Sequence, residues 1–205
     1  MRNAKVTVYH KWDESLVSVK SLDDATHTLT FDTPTTHPAG GWGVTQYVVW
    51  NVREGMQEPG QWYLDRTRGK LVYWPLPGEN LAYAKVVAPT TETVICLVGT
   101  EAGPICNVTL RGLCISATTT PAVPGNWAAD RYAGAVEALF ANDCRFADLT
   151  IANVGGQALK LTHCERPRVE RCEARATGAG GIHCCGRSRH PGRSHRPRHR
   201  RGSGP

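Results

Sequence analysis

The sequence predicts an all-β protein in which a β-rich N-terminal excursion leads into the first coils of a parallel β-helix. Three observations carry that expectation. The chain has 205 residues, 40% of them apolar, with 13 Pro and 21 Gly, which suits one sizeable core in a loop-rich β protein better than a helical one. Val136, Leu159 and Ile182 recur 23 residues apart, inside the similar runs 134–139 (GAVEAL), 157–161 (QALKL) and 180–184 (GGIHC). A repeat of that length, strand and turn with Gly or Asn at the corners, lets each coil advance by one strand spacing and stack like on like. The third observation is a sharply bounded hairpin within residues 47–81, ahead of the coils.

Taken in order, residues 5–10 and 15–20 alternate apolar and polar side chains (Val6, Val8; Leu16, Val17, Val19), and 28–31 does so again after the turn cluster Asp23-Asp24-Ala25-Thr26. These are short strands, with His10, Trp12 and Asp13 between the first two. Residues 33–43 (TPTTHPAGGWG) are too polar for a core and are expected to cover an end or edge of the sheet. In the hairpin, 61–64 and 70–74 are aromatic and β-branched, and the connector Asp65 to Gly69 ends in a residue free to take positive φ. Pro59-Gly60 and Pro75-Leu76-Pro77-Gly78 bound it, because Pro presets φ and Gly relieves the Cβ clash. Residues 82–89 read as a further strand.

The coils follow: 94–98, a turn at 99–103, then 108–110 and 113–115. Residues 146–151 and 168–172 supply second strands to later rounds, and the corners 153–156 (NVGG) and 177–181 (TGAGG) are equivalent. Residues 118–133 interrupt the coils with an insertion carrying Trp127, Asp130, Arg131 and Tyr132. Loops leaving one face of a repeat array commonly form its binding wall. A leucine-rich repeat shares the repeat length but its Leu-x-x-Leu-x-Leu scaffold is missing. A β-sandwich fits the short strands, and the 23-residue register argues against it. The expected organisation is a β-rich excursion over 1–90 with its hairpin at 60–75, coils over 91–184, and a tail over 185–205.

The order Asn51, Glu54, Pro59-Gly-Gln-Trp-Tyr-Leu-Asp65-Arg66, Gly69-Lys-Leu71, Tyr73-Trp-Pro75 resembles a segment of the large right-handed parallel β-helix proteins of the pectate-lyase-like superfamily, particularly those grouped with glycoside hydrolases. More weakly, the resemblance runs from Tyr9 to Ile182. Gln61 stands where that family usually has Glu, and Met56-Gln57 where it usually has Leu-Asp, so no acidic role carries over to those positions. The resemblance implies a right-handed β-helix and a carbohydrate-active protein, a polysaccharide-processing glycoside hydrolase. A non-catalytic carbohydrate-binding or surface β-helix protein and a polysaccharide lyase are the alternatives. In the enzymes resembled, catalytic acids tend to lie on later coils than these, which implies a partial chain, inactive alone. The implied partner is a polysaccharide or oligosaccharide, with no cofactor.

Glycoside cleavage needs two carboxylates at a defined separation, and lysis needs a base with, usually, a cation. Glu54, Asp65, Asp130, Glu137, Asp143 and Asp148 are available, none in a pair whose separation the sequence fixes. Asp65 reads as a turn residue, and Asp143 and Asp148 as solvated edges. Glu54 and Asp130 remain as catalytic candidates. His10, Trp12, Trp127 and Tyr132 are the candidate substrate-binding residues, the first two because the family often places His or Trp near this point, facing the substrate groove. Trp62 is expected to seal the core. No zinc-ligand spacing occurs, so no metal site is expected; the eight cysteines read as small hydrophobes on inward positions, with disulfides as the alternative. His163 and His183 read as solvated corner residues, and Asn107-Val108-Thr109 as a chance glycosylation sequon.

The net charge of +6 is located in the tail: seven arginines from Arg187 to Arg201 more than supply it, and +6 less those seven charges leaves −1 elsewhere. A nucleic-acid footprint on a folded face is therefore not expected. Residues 185–205 contain no apolar residue beyond Cys185 and Pro, read as disordered, and have the composition of a GC-rich gene read out of frame; a genuine basic tail is the competing reading. There is no 18-residue apolar run and no apolar leader after Met1, whereas the family resembled usually works outside the cytoplasm, in an extracellular or periplasmic setting. The simplest resolution is a chain that begins inside a longer protein.

Overall fold

The computed structural model describes residues 3–124 and 129–186. Trp127 and the arginine-rich segment from Arg187 onward lie outside them. The protein is all-β, and the 23-residue interval is its organising dimension. Strands β7 (Ile95–Val98), β11 (Gly134–Leu139), β15 (Gln157–Thr162) and β18 (Ile182–Cys185) form one parallel sheet, with Ile95 opposite Val136, Val136 opposite Leu159 and Leu159 opposite Ile182. The β-sandwich alternative fails on this point, since its neighbouring strands would run antiparallel. A second parallel sheet stacks β9 (Thr109–Arg111), β13 (Arg145–Ala147) and β16 (Arg168–Glu170), and a third stacks β10 (Cys114–Ser116), β14 (Thr150–Val154) and β17 (Glu173–Thr177). The short β8 (Ile105–Cys106) and β12 (Ala141–Asn142) pair at the corner between the first two sheets. Each of three rounds contributes one strand to each sheet, and β18 adds a fourth strand to the first, giving a β-helix-like stack.

Its core is a set of columns. Leu110, Phe146 and Val169 align in the second sheet and Ile115 and Ile151 in the third, while Val136, Leu159 and Leu161 project from the first. Phe146, Leu149 and Leu159 are fully buried. Burial falls off in the first and last rounds, whose strands have a neighbour on one side only among the described residues: Val98 and Ile182 are exposed. Edges of this kind recruit other strands, so poor solubility is expected when the chain is expressed alone.

What turns the chain at each corner is a single left-handed residue. Phe140 and His163, Asp143 and Arg166, Asp148 and Arg171, and Asn153 and Ala176 all have φ between 49° and 55°, each pair 23 residues apart. Corners stack on corners. Phe140 and His163 lie ring on ring, 4.9 Å between centroids. Arg166 donates two hydrogen bonds to Asp143 (2.7 Å each), and Arg171 donates to both oxygens of Asp148 (2.7 and 3.0 Å), which also accepts from Arg111 (2.9 Å). Asp143 and Asp148 are therefore rungs of an ion-pair ladder rather than simply solvated edges.

That ladder makes a pH prediction. Hydrogen bonds from arginine hold Asp143, Asp148 and Glu170 below their ordinary values, Glu170 through Arg145. A carboxylate with a lowered folded-state pKa stabilises the fold above its unfolded value of about 4 and loses that contribution as pH falls through the lowered value. Asp148→Asn should lower the melting temperature most at neutral pH and converge on the parent as pH falls from about 5 to 2, giving a flatter acid limb. An acid limb identical to that of the parent would show the ladder contributes nothing.

The N-terminal excursion is an antiparallel sheet in the order β3 (Thr28–Phe31), β2 (Glu14–Asp23), β1 (Lys5–Tyr9), β4 (Tyr47–Trp50). Val6, Val8, Val17 and Val19 form its own small core. The hairpin pairs β5 (Trp62–Asp65) with β6 (Lys70–Tyr73), Gly69 has φ 63°, and Asp65 accepts from the Arg68 amide (3.0 Å), as a turn residue does. Asn51 moors it, donating to the Leu64 carbonyl and accepting from the Leu64 amide (2.9 and 2.7 Å).

Several sequence expectations need correction. Residues 82–89 form no strand; Val86 and Val87 are 69% and 63% exposed, and β propensity alone makes no strand in a segment that does not pair with a sheet. Trp62 is 60% exposed, because the hairpin turns that face outward. His183 lies within β18, and His163, though at a corner, is half-buried. All eight cysteines are free thiols: Cys144, Cys164 and Cys172 pack at the core, whereas Cys96, Cys106, Cys114, Cys184 and Cys185 are exposed on the outermost rounds.

Candidate functional site

At the end of β1 the chain turns through His10-Lys11-Trp12-Asp13 into β2, and the loop 33–43 folds over that turn. Short polar side chains tie the two together. Thr36 Oγ1 donates to Asp13 Oδ2 (2.7 Å), the Thr36 amide donates to Ser15 Oγ (3.0 Å), the two hydroxyls lie 3.1 Å apart, and Ser15 Oγ lies 3.0 Å from His10 Nε2. Proton counting orders the network. The single hydroxyl proton of Thr36 goes to a carboxylate that has none to give, so Ser15 donates to Thr36 and His10 Nε2 must donate to Ser15. Every bond points toward Asp13, an arrangement in which each strengthens the next.

The same bookkeeping disposes of a nucleophile. Ser15 is wholly buried, and its proton is directed away from His10. His10 is 8% exposed; burial holds it below the ordinary imidazole value, with His37 acting in the same sense and Asp13 against it. The Asp13 side chain is 6% exposed, and its Oδ1 has no hydrogen-bond partner among the described residues, the His37 Nε2 standing 3.9 Å away.

On top of this floor sits an aromatic cluster. His37 packs edge-on against His10 and Trp42 (5.5 and 4.9 Å), and Trp42 packs edge-on against Trp12 (5.2 Å). Trp12 is 51% and Trp42 55% exposed, so two large rings meet water beside one another although burying them would be worth kilocalories. Trp42 also holds a left-handed backbone, φ 55° and ψ 23°, between Gly40 and Gly43 at φ 78° and 80°. A bulky residue there costs about 1–3 kcal/mol and persists only where its surroundings impose it. Sequence reasoning passed over Trp42; the signal was a tryptophan set among glycines, GGWG, in a loop otherwise made of turn formers.

The insertion reaches the same sheet from the coil side. Ser15 and Pro124 form an isolated antiparallel bridge, and Tyr132, 4% exposed, donates to the Val123 carbonyl (3.2 Å). Burial raises the Tyr132 phenol, with the Glu14 carboxylate adding to it; the Glu14 carboxyl is itself raised, by burial first and then by Asp13. Tyr132 and His10 thus both border the β2 entrance, beneath the surface. Lys160 Nζ donates to the carbonyls of Asp130 and Tyr132 (2.6 and 3.0 Å), fastening the insertion over the outer face of the first sheet. Glu54 lies exposed on a 3-10 turn after β4, and Glu137 accepts from the Gly134 amide (2.8 Å). Among the described residues no group of three or more His, Cys, Asp and Glu is placed to hold a metal ion. No described helix is long and apolar enough to cross a membrane.

No protein-family model and no curated protein matches the sequence. A solved structure titled "Glycoside hydrolase" does match the fold. It superposes with a TM-score of 0.62 at 20% identity over 80% of this chain and 37% of its own. The likeness is one of fold, and the chain spans a little over a third of that protein's length.

Proposed function

We propose that this chain is the carbohydrate-binding part of a polysaccharide-processing parallel β-helix protein of the glycoside-hydrolase type, and that it binds a glycan without cleaving it. The observation that carries this reading is the exposed Trp12–Trp42 pair on its hydrogen-bonded floor. An exposed tryptophan face matches the apolar face of a sugar ring, and the second indole, inclined at 64° to the first, forms a wall beside it. Trp12 stacks on the sugar in this reading, and His10 and Tyr132 set the shape beneath. The fold likeness to a structure titled glycoside hydrolase supports the same class.

Binding rather than cleavage is favoured by how the carboxylates are employed. Asp13 accepts Thr36, Asp65 closes a turn, Glu137 caps an amide, and Asp143 and Asp148 are held by arginines, which lower their pKa; among the described carboxyls near the site Glu14 alone is raised, as a general acid requires, and it is half-buried at the start of β2. Incubating the chain with plant and bacterial polysaccharides, and measuring retention, reducing-end release and unsaturated-product absorbance, tests the reading. Retention without product is expected. Failure to retain any polysaccharide overturns it, and product in either assay replaces it with a hydrolase or a lyase respectively.

A further inference from the structure

A second site lies at the other end of β1, where Lys5 is about 17 Å along the strand from His10 at roughly 3.3 Å per residue. The N-terminal sheet, the hairpin turn and the start of the insertion enclose a cleft of about 460 Å³ there, lined by Lys5, Ser18, Asp32, Arg66, Thr119 and Thr120 among others. Two cations converge on it. Lys5 is half-buried, and burial followed by repulsion from Arg66 pushes its ammonium below the ordinary lysine value. Among the described residues neither Lys5 nor Arg66 has an ion-pair partner within 4.0 Å. The Thr120 hydroxyl lies buried with no hydrogen-bond partner among the described residues.

Each of these features is unfavourable alone. Unpaired cations side by side repel, and a buried hydroxyl without a partner forfeits the hydrogen bond it had in water. One ligand chemistry answers all three. We propose that the cleft binds an oxyanion group, a carboxylate, sulfate or phosphate carried on a small ligand, with Lys5 and Arg66 supplying charge and Thr120 a hydroxyl donor. Arg66, exposed on the hairpin turn, closes over the anion from outside while Lys5 meets it from the sheet. Asp32 on the rim opposes binding and favours a single anionic group over a densely charged polymer.

Titration of the 15N-labelled chain with sodium sulfate, inorganic phosphate or glucuronate, each at constant ionic strength against chloride, is the test. Saturable shifts of the amides of Lys5, Thr119, Thr120 and Ala122 are expected, and whichever probe binds tightest assigns a tetrahedral anion or a sugar carboxylate. Lys5→Met and Arg66→Gln should each weaken that binding about tenfold or more, the loss expected for a charge-assisted contact. Lys5→Met should melt no lower than the parent in chloride, since it removes a desolvated charge without a partner; Arg66→Gln, at an exposed turn, serves if it does not fold. Thr120→Val should weaken binding and Asp32→Asn strengthen it. Absence of saturation with all three probes overturns the proposal, as does parental affinity in Arg66→Gln. Glycan binding by the tryptophan pair is read separately and is independent of either result.

Discussion

Phe146→Ala is expected to lose about 3–5 kcal/mol of stability in chemical denaturation, enough to unfold much of a domain whose total is about 5–15 kcal/mol. Phe146 is 1% exposed and stands between Leu110 below and Val169 above, on the middle round of the stack. Neighbours in a close-packed column cannot slide inward to fill the space, because their backbones are pinned by the parallel ladders on both sides. The loss should therefore sit at the upper end of the range for a deleted aromatic ring. Val169→Ala, on the outermost round with a neighbour on one side only, should cost about 1–2 kcal/mol. Similar losses for the two would mean that the column does not act as the core.

Removing the exposed aromatic pair should have the converse profile. Trp12→Ala and Trp42→Ala are each expected to weaken oligosaccharide binding about 10- to 100-fold, as truncation of a central aromatic anchor does, with melting temperatures close to the parent's. Trp42→Gly separates ring from backbone: it relieves the left-handed strain at φ 55° while deleting the stacking surface, so it should melt at or above Trp42→Ala and bind no better. Isothermal titration with the oligosaccharide best retained by the parent measures both. Parental affinity in Trp12→Ala would remove the pair from the site.

The coils were legible because periodicity survives without any knowledge of contacts. Val136, Leu159 and Ile182 announce their own register, and a parallel stack turns equal spacing directly into neighbourhood. The hairpin was legible for a different reason: Asp65 and Gly69 are turn chemistry acting over five residues. Residues 82–89 misled because strand propensity records a side chain's fit to a sheet, not the presence of one. The floor of the candidate site was out of reach, since it depends on Thr36 meeting Asp13 and Ser15 across more than 20 residues with no periodicity to mark it. The corner residues show the limit most sharply. Asn153 has the composition of a left-handed turn, but Ala176 and Phe140 take the same conformation because stacking imposes it.

The left-handed corners have a hereditary consequence. Because residues 140, 143, 148 and 153 are answered at 163, 166, 171 and 176, a whole round is a unit that could be copied or excised between any two equivalent points without disturbing the rest. A tandem duplication of 23 codons would insert another Asp-to-Arg rung and another aliphatic row in phase with the old ones. A gain or loss of one residue within a strand is quite different, since it would turn Leu159 outward and bring Lys160 into its place among the apolar columns. Length in such a chain is quantised, and its lineage is expected to have grown by rounds rather than by residues.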